Sequence, residues 1–182
     1  AGFGKSLPAG KKIGESWELS GIPSSPSVAA NGHLAGVPLD EIVSRESLWF
    51  GGKKRLPLLV KLIDASENLS VQLHPDDRMA KKLGLPSGKT ECWYVLHAEP
   101  GASIIRGLKN GVDATSLFQA IASDRIEECL LSVPVRAGDV IPVPAGTVHA
   151  LGKGIVTYEL QQSCDVTYRL FDWNRTNPKR EL

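Results

Sequence analysis

At 182 residues, 42% of them hydrophobic, the chain has enough apolar material for a real core and enough length for one domain, or one domain and part of another. Its 21 basic and 20 acidic residues leave a net charge of +1; no basic stripe stands out, which sets nucleic acid aside as a partner, and no apolar run approaches the length of a membrane span. Cys92, Cys129 and Cys164 are odd in number and form no Cys-x-x-Cys, which excludes a disulfide framework and a thiolate zinc site and points to reduced thiols in the cytoplasm.

In chain order, residues 1–12 are rich in Gly and Lys and read as a loop. Their opening lacks the apolar segment of a signal peptide and a starting Met, so the chain reads as trimmed. Gly14 to Ser20 alternates as a short strand, and a second short strand is expected after the turn at Asn31-Gly32. Leu39, Ile42 and Val43 recur at helical spacing within 38–46. Leu56 to Asp64 is almost continuously apolar and reads as a strand buried on both faces, with Pro57 near its start. Val71 to His74 is the next strand, broken by Pro75. Asp76 or Asp77 then caps a helix over 77–84, which Gly84 ends.

Pro86 to Lys89 turns the chain into a strand opened by Glu91, and Ala102 to Arg106 is another. A helix over 113–123 carries Leu117, Ala120 and Ile121 on one face, with Asp113 near its cap. Leu130–Val135 and Val140–Val143 are short strands, and a last run covers Ile155 to Phe171. Twelve Pro and eighteen Gly between so many short strands indicate a mainly β fold, an antiparallel barrel or sandwich, with helices only at 38–46, 77–84 and 113–123.

Side chains two apart on a strand share a face, so Gln72 and His74 point one way while Val71 and Leu73 pack the other. Glu91 opens the next strand, and His149 follows the turn Pro144-Ala145-Gly146. One amide oxygen, one carboxylate and two imidazoles from three strands would suit a divalent metal, zinc or iron ahead of magnesium. On spacing alone, each is equally an ordinary hydrogen-bonded residue at a strand end. His33 and His97 have no ligand-like context. In the last run, Thr157, Glu159, Gln161, Ser163, Asp165, Thr167 and Arg169 form a polar row opposite Val156, Tyr158, Leu160, Val166, Tyr168 and Leu170. The ordinary expectation places the polar row in water and the apolar row in the core. The alternative is that part of the polar row lines a metal cavity, which would let Asp165 and Arg169 reach a substrate.

The runs Leu69–Asp77, Gly88–Tyr94, Pro142–Ala150 and Gln161–Arg169, with Gly14-Glu15-Ser16-Trp17-Glu18 ahead of them, resemble type I mannose-6-phosphate isomerases from about Ile13 to the end. The resemblance implies a cupin-type antiparallel β-barrel or jelly roll over 1–182, acting as one catalytic domain. It implies one zinc held by Gln72, His74, Glu91 and His149, and Lys89, Asp165 and Arg169 at the reacting sugar. The reaction it implies interconverts mannose 6-phosphate and fructose 6-phosphate, a small-molecule sugar phosphate, through a cis-enediol. It leaves oligomeric state open. Only 57 residues separate Glu91 from His149, which fits the shorter bacterial type. The family's early tryptophan–glycine segment is missing, and the chain stops at Leu182 where family members continue into a further β-rich region. It therefore reads as part of a longer gene product.

A phosphate subsite is not legible, with Ser70, Arg106 and Lys153 as equal candidates. Lys89 reads either as a proton-handling group or as a phosphate-binding charge. Two other classes compete. One is another metal-dependent cupin enzyme, an iron-dependent sugar-phosphate isomerase or an oxygenase. The other is a non-catalytic sugar-binding cupin, which would not need Lys89 and Arg169.

Overall fold

The computed structural model describes Gly4, Lys5, Gly10 and residues 13–175. Most of the loop expected over 1–12, and the residues from 176 to the end, lie outside the described residues. Ten strands form two five-stranded antiparallel sheets among the described residues, the mainly β, two-sheet architecture expected. The first sheet contains β1 (Glu15–Leu19), β2 (Leu58–Ala65), β9 (Ile155–Gln162), β4 (Glu91–Ala98) and β7 (Val140–Val143), in that order across it. The second runs β10 (Tyr168–Phe171), β3 (Val71–Leu73), β8 (His149–Ala150), β5 (Ser103–Leu108) and β6 (Leu130–Pro134).

Among the described residues, three α-helices lie where the sequence places them. They are α1 (Leu39–Arg45), α2 (Asp77–Lys82) and α3 (Ala114–Ala122). Asp76 caps α2 by accepting Met79 N–H, and Asp113 forms a reciprocal capping box with Ser116 on α3. No helix among the described residues is long and apolar enough to cross a membrane.

Several expectations differ. Short 3₁₀ turns at Gly32–Leu34, Ser47–Phe50 and Ile126–Cys129 carry no helical periodicity in the sequence. The first of them replaces the strand expected after Asn31-Gly32; only a lone bridge between Val28 and Pro38 forms there. The run at 56–64 is buried on both faces only at its middle. Leu59, Lys61, Ile63 and Ala65 are buried on one face, whereas on the other only Val60 is buried, Leu62 is half-buried and Leu58 and Asp64 are exposed. The final run is two strands on opposite sheets, because the chain leaves the first sheet after Gln162 and joins the second at Tyr168.

The largest correction concerns which row of β9 faces inward. Thr157, Glu159 and Gln161 are buried, while Tyr158 and Leu160 are exposed. The register explains the inversion. Ala65 pairs Ile155, Ile63 pairs Thr157, Lys61 pairs Glu159 and Leu59 pairs Gln161, and on the other side of β9 Val95, Trp93 and Glu91 pair Thr157, Glu159 and Gln161. The inward rows pass from apolar at the Ile155 end to charged at the Gln161 end. The apolar end packs Ile63, Ala65, Trp93, Val95, Ile104 and Ile155 into a core. The other end is an interior that is polar because it walls a cavity.

One close approach fixes how the sheets join. A Cβ on Gly152 would lie 1.9 Å from the backbone oxygen of Ser103. Neither atom belongs to a flexible side chain, so Gly152→Ala has to separate the chain between β8 and β9 from β5. We expect a loss of about 3 kcal/mol, at the upper end of overpacking costs. Thermal unfolding checks it: at roughly 2–4 °C per kcal/mol for a chain of this size, the midpoint should fall by roughly 6–12 °C.

Candidate functional site

The sheet pairings assemble one cluster from distant segments. Arg169 on β10 pairs Gln72 on β3, and Gln72 pairs His149 on β8, so these three share a row across the second sheet. His74 follows β3 directly. From the first sheet, Glu91 lies opposite them at the start of β4. His74, Glu91 and His149 are 1–2% exposed, and their ligand-type atoms all lie within 4.8 Å of one another. Glu91 Oε1 is 3.2 Å from His149 Nε2, and Glu91 Oε2 is 3.5 Å from His74 Nε2. The Gln72 amide reaches the same point, with Nε2 at 3.4 Å from His149 Nε2. A half-turn of the amide would present its oxygen there instead.

The donor set fits a metal on two further observations. His74 Nε2 and both carboxylate oxygens of Glu91 are buried with no hydrogen-bond partner, and native proteins rarely leave three such atoms unsatisfied at one place. The imidazoles are also oriented from behind. His149 Nδ1 lies 2.8 Å from Thr147 O and His74 Nδ1 lies 3.1 Å from Val166 O. Each Nδ1 donates its proton to a carbonyl, which leaves Nε2 as a lone pair aimed at the cluster, the usual second contact of a metal-binding histidine. The separations also suit tetrahedral coordination, since ligand bonds of ~2.0–2.2 Å put neighbouring donors ~3.3–3.6 Å apart.

The charges agree with such a site. Burial pushes Glu91 up, but His74, Lys89 and His149 outweigh it and hold the carboxyl at about 2. Burial also dominates at His149, bringing it down to about 4 against the pull of Glu91. At neutral pH Glu91 is therefore a carboxylate and His149 a neutral imidazole, the protonation states that bind a cation.

Beside the cluster lies a cavity of about 480 Å³ lined by Glu15, Lys61, Ser70, Gln72, Lys89, Glu159, Asp165, Thr167 and Arg169, among others. Lys89 precedes β4 but is buried, with Nζ 3.6 Å from Glu91 Oε2. Asp165, Thr167 and Arg169 enter as alternate residues of one segment, and Lys89, Asp165 and Arg169, the residues the resemblance implied at a sugar, all line this cavity. Ser70 lines it too. Arg106 does not, and its Nε is donated to Pro142 O at 2.9 Å. Lys153 is outside it as well, in the turn after β8, with its backbone N–H donated to Asn68. His33 and His97 lie on the exposed surface. A more apolar groove of about 430 Å³ shares Asp165 and is lined by Arg55, but by none of Lys61, Gln72, Lys89 and Arg169.

Two cavity residues escaped the sequence reading. Lys61 is 6% exposed, with its ammonium 3.6 Å from Glu15 and over the Trp17 ring at 5.0 Å. Glu159 accepts Trp93 Nε1–H at 2.9 Å. Burial and the charge of Glu91 raise Glu159 to about 7, with Lys89, Lys61 and Trp93 opposing. The signal for Lys61 was a lone charge inside an apolar strand, in phase with inward residues. For Glu159 it was the polar row itself.

With this geometry in view, the comparisons are specific. The family model of the phosphomannose isomerase type I catalytic domain matches residues 2–101, more than half the chain. A mannose-6-phosphate isomerase of Streptococcus mutans is 45% identical over 175 residues, which cover 95% of this chain and 55% of that protein. The crystal structure of the Bacillus subtilis mannose 6-phosphate isomerase superposes with a TM-score of 0.92 at 40% identity, covering 99% of this chain and 59% of that one. A phosphomannose isomerase variant from Salmonella typhimurium shares the fold at a TM-score of 0.67 and 16% identity. The chain thus spans a little over half the length of the relatives it matches. Four motifs in order, the two-sheet fold and the catalytic-domain model matched over residues 2–101 agree: this chain belongs to the type I phosphomannose isomerase family.

Proposed function

We propose that this chain forms the catalytic part of a zinc-dependent aldose–ketose isomerase that interconverts mannose 6-phosphate and fructose 6-phosphate in the cytoplasm, with residues 1–182 acting as one catalytic domain. The observation that carries the proposal is the convergence of His74 Nε2 and both Glu91 oxygens, buried without hydrogen bonds, beside a cavity that holds Lys89 and Arg169. Gln72, His74, Glu91 and His149 hold the single ion. When bound, the zinc supplies a Lewis acid that polarises the sugar carbonyl.

The chain's own residues account for the rest of the chemistry. Isomerisation removes the C2 proton while O1 gains one, giving a cis-enediol. O2 then loses its proton as C1 gains one, and the ketone results. Arg169 offers a planar fork of donors to O1 and O2, where negative charge develops. Lys89 and Glu159 line the same cavity as Arg169 and move the protons. Lys61, a buried ammonium that lines the cavity 3.6 Å from Glu15, suits an anionic substituent, and Asp165 holds sugar hydroxyls. Lys89 and Arg169 together favour catalysis over simple sugar binding, because a purely structural metal needs neither.

The direct test is coupled turnover of mannose 6-phosphate on this chain and on a C-terminally extended form, with and without a chelator. Turnover that is lost on chelation and restored by zinc supports the reading. Turnover that survives complete metal removal overturns it. Binding should also appear as stability, because zinc at 100 times its dissociation constant adds about 2.7 kcal/mol. Calorimetry should show the unfolding midpoint rising by roughly 5–11 °C on zinc addition.

A further inference from the structure

The three segments that carry His74, Glu91 and His149 are tied together outside the cluster by one hydrogen-bonded lattice, and a single carboxylate stands at its corner. Asp77, the first residue of α2, accepts Gly88 N–H at 2.7 Å and Gln162 Nε2–H at 3.3 Å on the same oxygen, Oδ1. The other end of the Gln162 amide accepts Thr90 N–H at 2.8 Å, and Thr90 Oγ1 accepts Ala145 N–H at 3.1 Å. Backbone bonds run parallel to these. Lys89 N–H donates to Pro75 O and Gly146 N–H to His74 O, both at 2.9 Å. The lattice therefore joins the segment after His74, the segment before Glu91 and the turn before His149. The packing at its centre leaves no slack. A Cβ on Gly88 would lie 2.6–2.8 Å from backbone atoms of Pro75, Asp76 and Asp77.

We propose that Asp77 is a positioning residue for the metal cluster: its carboxylate holds Gly88 and Gln162, and through them sets the distance between Glu91 and the two histidines. The inference rests on the reading of His74, Glu91 and His149 as metal ligands. Asp77 itself touches neither the cluster nor the cavity. Its effect is mechanical. Gly88 is buried, so losing the acceptor leaves a buried N–H unsatisfied and frees the strand entry three residues before Glu91. A shift of a few tenths of an ångström there is enough to spoil a ligand set whose donors must meet one ion. Asp76 supplies the internal control. It sits one residue earlier and caps the same helix through Met79 N–H, yet its side chain makes no bond to Gly88 or Gln162 among the described contacts.

The experiment measures zinc affinity by competition against a chromogenic chelator, with the thermal midpoint of the zinc-free form, for the wild type and the variants Asp77→Ala, Asp77→Asn and Asp76→Ala. Positioning predicts that Asp77→Ala weakens zinc about 10–100-fold, the usual cost of losing an outer contact of a metal site. Asp77→Asn, which keeps an acceptor of the same shape, should recover most of that affinity. Asp76→Ala should lower the zinc-free midpoint at least as much and leave zinc affinity within about 3-fold, because a cap acts on the helix rather than on the ligands. If Asp77→Ala binds zinc as the wild type does, or if Asp76→Ala weakens zinc equally, Asp77 is only a helix residue and the inference is wrong. If the wild type takes up no zinc, the reading of the site itself fails and the inference fails with it. If the wild type binds zinc and the variants do not differ, only the inference falls.

Discussion

Glu91→Gln is expected to lower zinc affinity by more than 100-fold and to destabilise the zinc-free protein as well. The substitution keeps the shape of the side chain and removes its charge. Glu91 is the only anionic member of the cluster, 3.2 and 3.5 Å from the two imidazole nitrogens. A neutral amide would leave a divalent ion with no charged ligand in a buried site, a worse loss than the 10–100-fold cost of an outer contact. It would also point an amide N–H₂ at one imidazole lone pair while the ion competes for the same atom. The zinc-free form suffers for a separate reason. The Lys89 ammonium is buried 3.6 Å from the Glu91 carboxylate, and removing one partner of a buried pair costs about 3–5 kcal/mol, because the remaining charge has no compensation. Metal content after dialysis and the unfolding midpoint of the chelated protein read the two effects separately. Retention of zinc at the wild-type ratio would show that Glu91 is not a ligand.

Arg169→Lys is expected to cut turnover by ~10²–10³ while substrate affinity and zinc content stay close to wild type. The lysine keeps a positive charge near the cavity but offers a point donor in place of a planar fork. If the fork stabilises charge that develops on O1 and O2, the interaction belongs mainly to the transition state, so kcat falls far more than KM changes. The loss of one such donor typically costs this much. Zinc content should hold, because Arg169 shares a row with Gln72 and His149 without being one of the proposed ligands. Exchange of the substrate's C2 proton with solvent should fall in step with turnover, since both pass through the enediol. If the variant turns over normally, or fails only because it loses metal, Arg169 is structural and the stabilisation of the charge on O1 and O2 has to be reassigned, with Lys89 the next candidate to test.

Much of this was present in the chain before folding. The Gln72-x-His74 alternation, the break at Pro75 and a helix cap at Asp76 or Asp77 are local properties, and local rules of strand pleat, proline geometry and capping suffice to read them. The four motif runs carried the family. The helices were legible because their apolar spacing and caps are also local. The 3₁₀ turns were not, since a single turn has too few residues to show a period.

What failed was the assignment of faces. Alternation in the last run separates two sets of residues but does not say which set faces in, and the ordinary assumption that apolar means inside was wrong for β9. Tyr158 and Leu160 are outside and Glu159 and Gln161 are inside because the interior at that end is a polar cavity. The same blindness hid Lys61, whose charge looked like an interruption in a buried strand and is in fact part of the cavity wall.

The sequence by itself determined the residue types of the site, their order along the chain, the breaks that separate the strands and the family to which they belong, because each of these is written in short stretches. Only the tertiary structure decided which distant residues meet. Register across β2, β9 and β4 set Lys61, Glu159 and Trp93 in one row, and pairing of β10, β3 and β8 set Arg169, Gln72 and His149 in another. A one-residue slip in either register would turn these side chains to the opposite face, so the site exists only where the two sheets pack in this alignment.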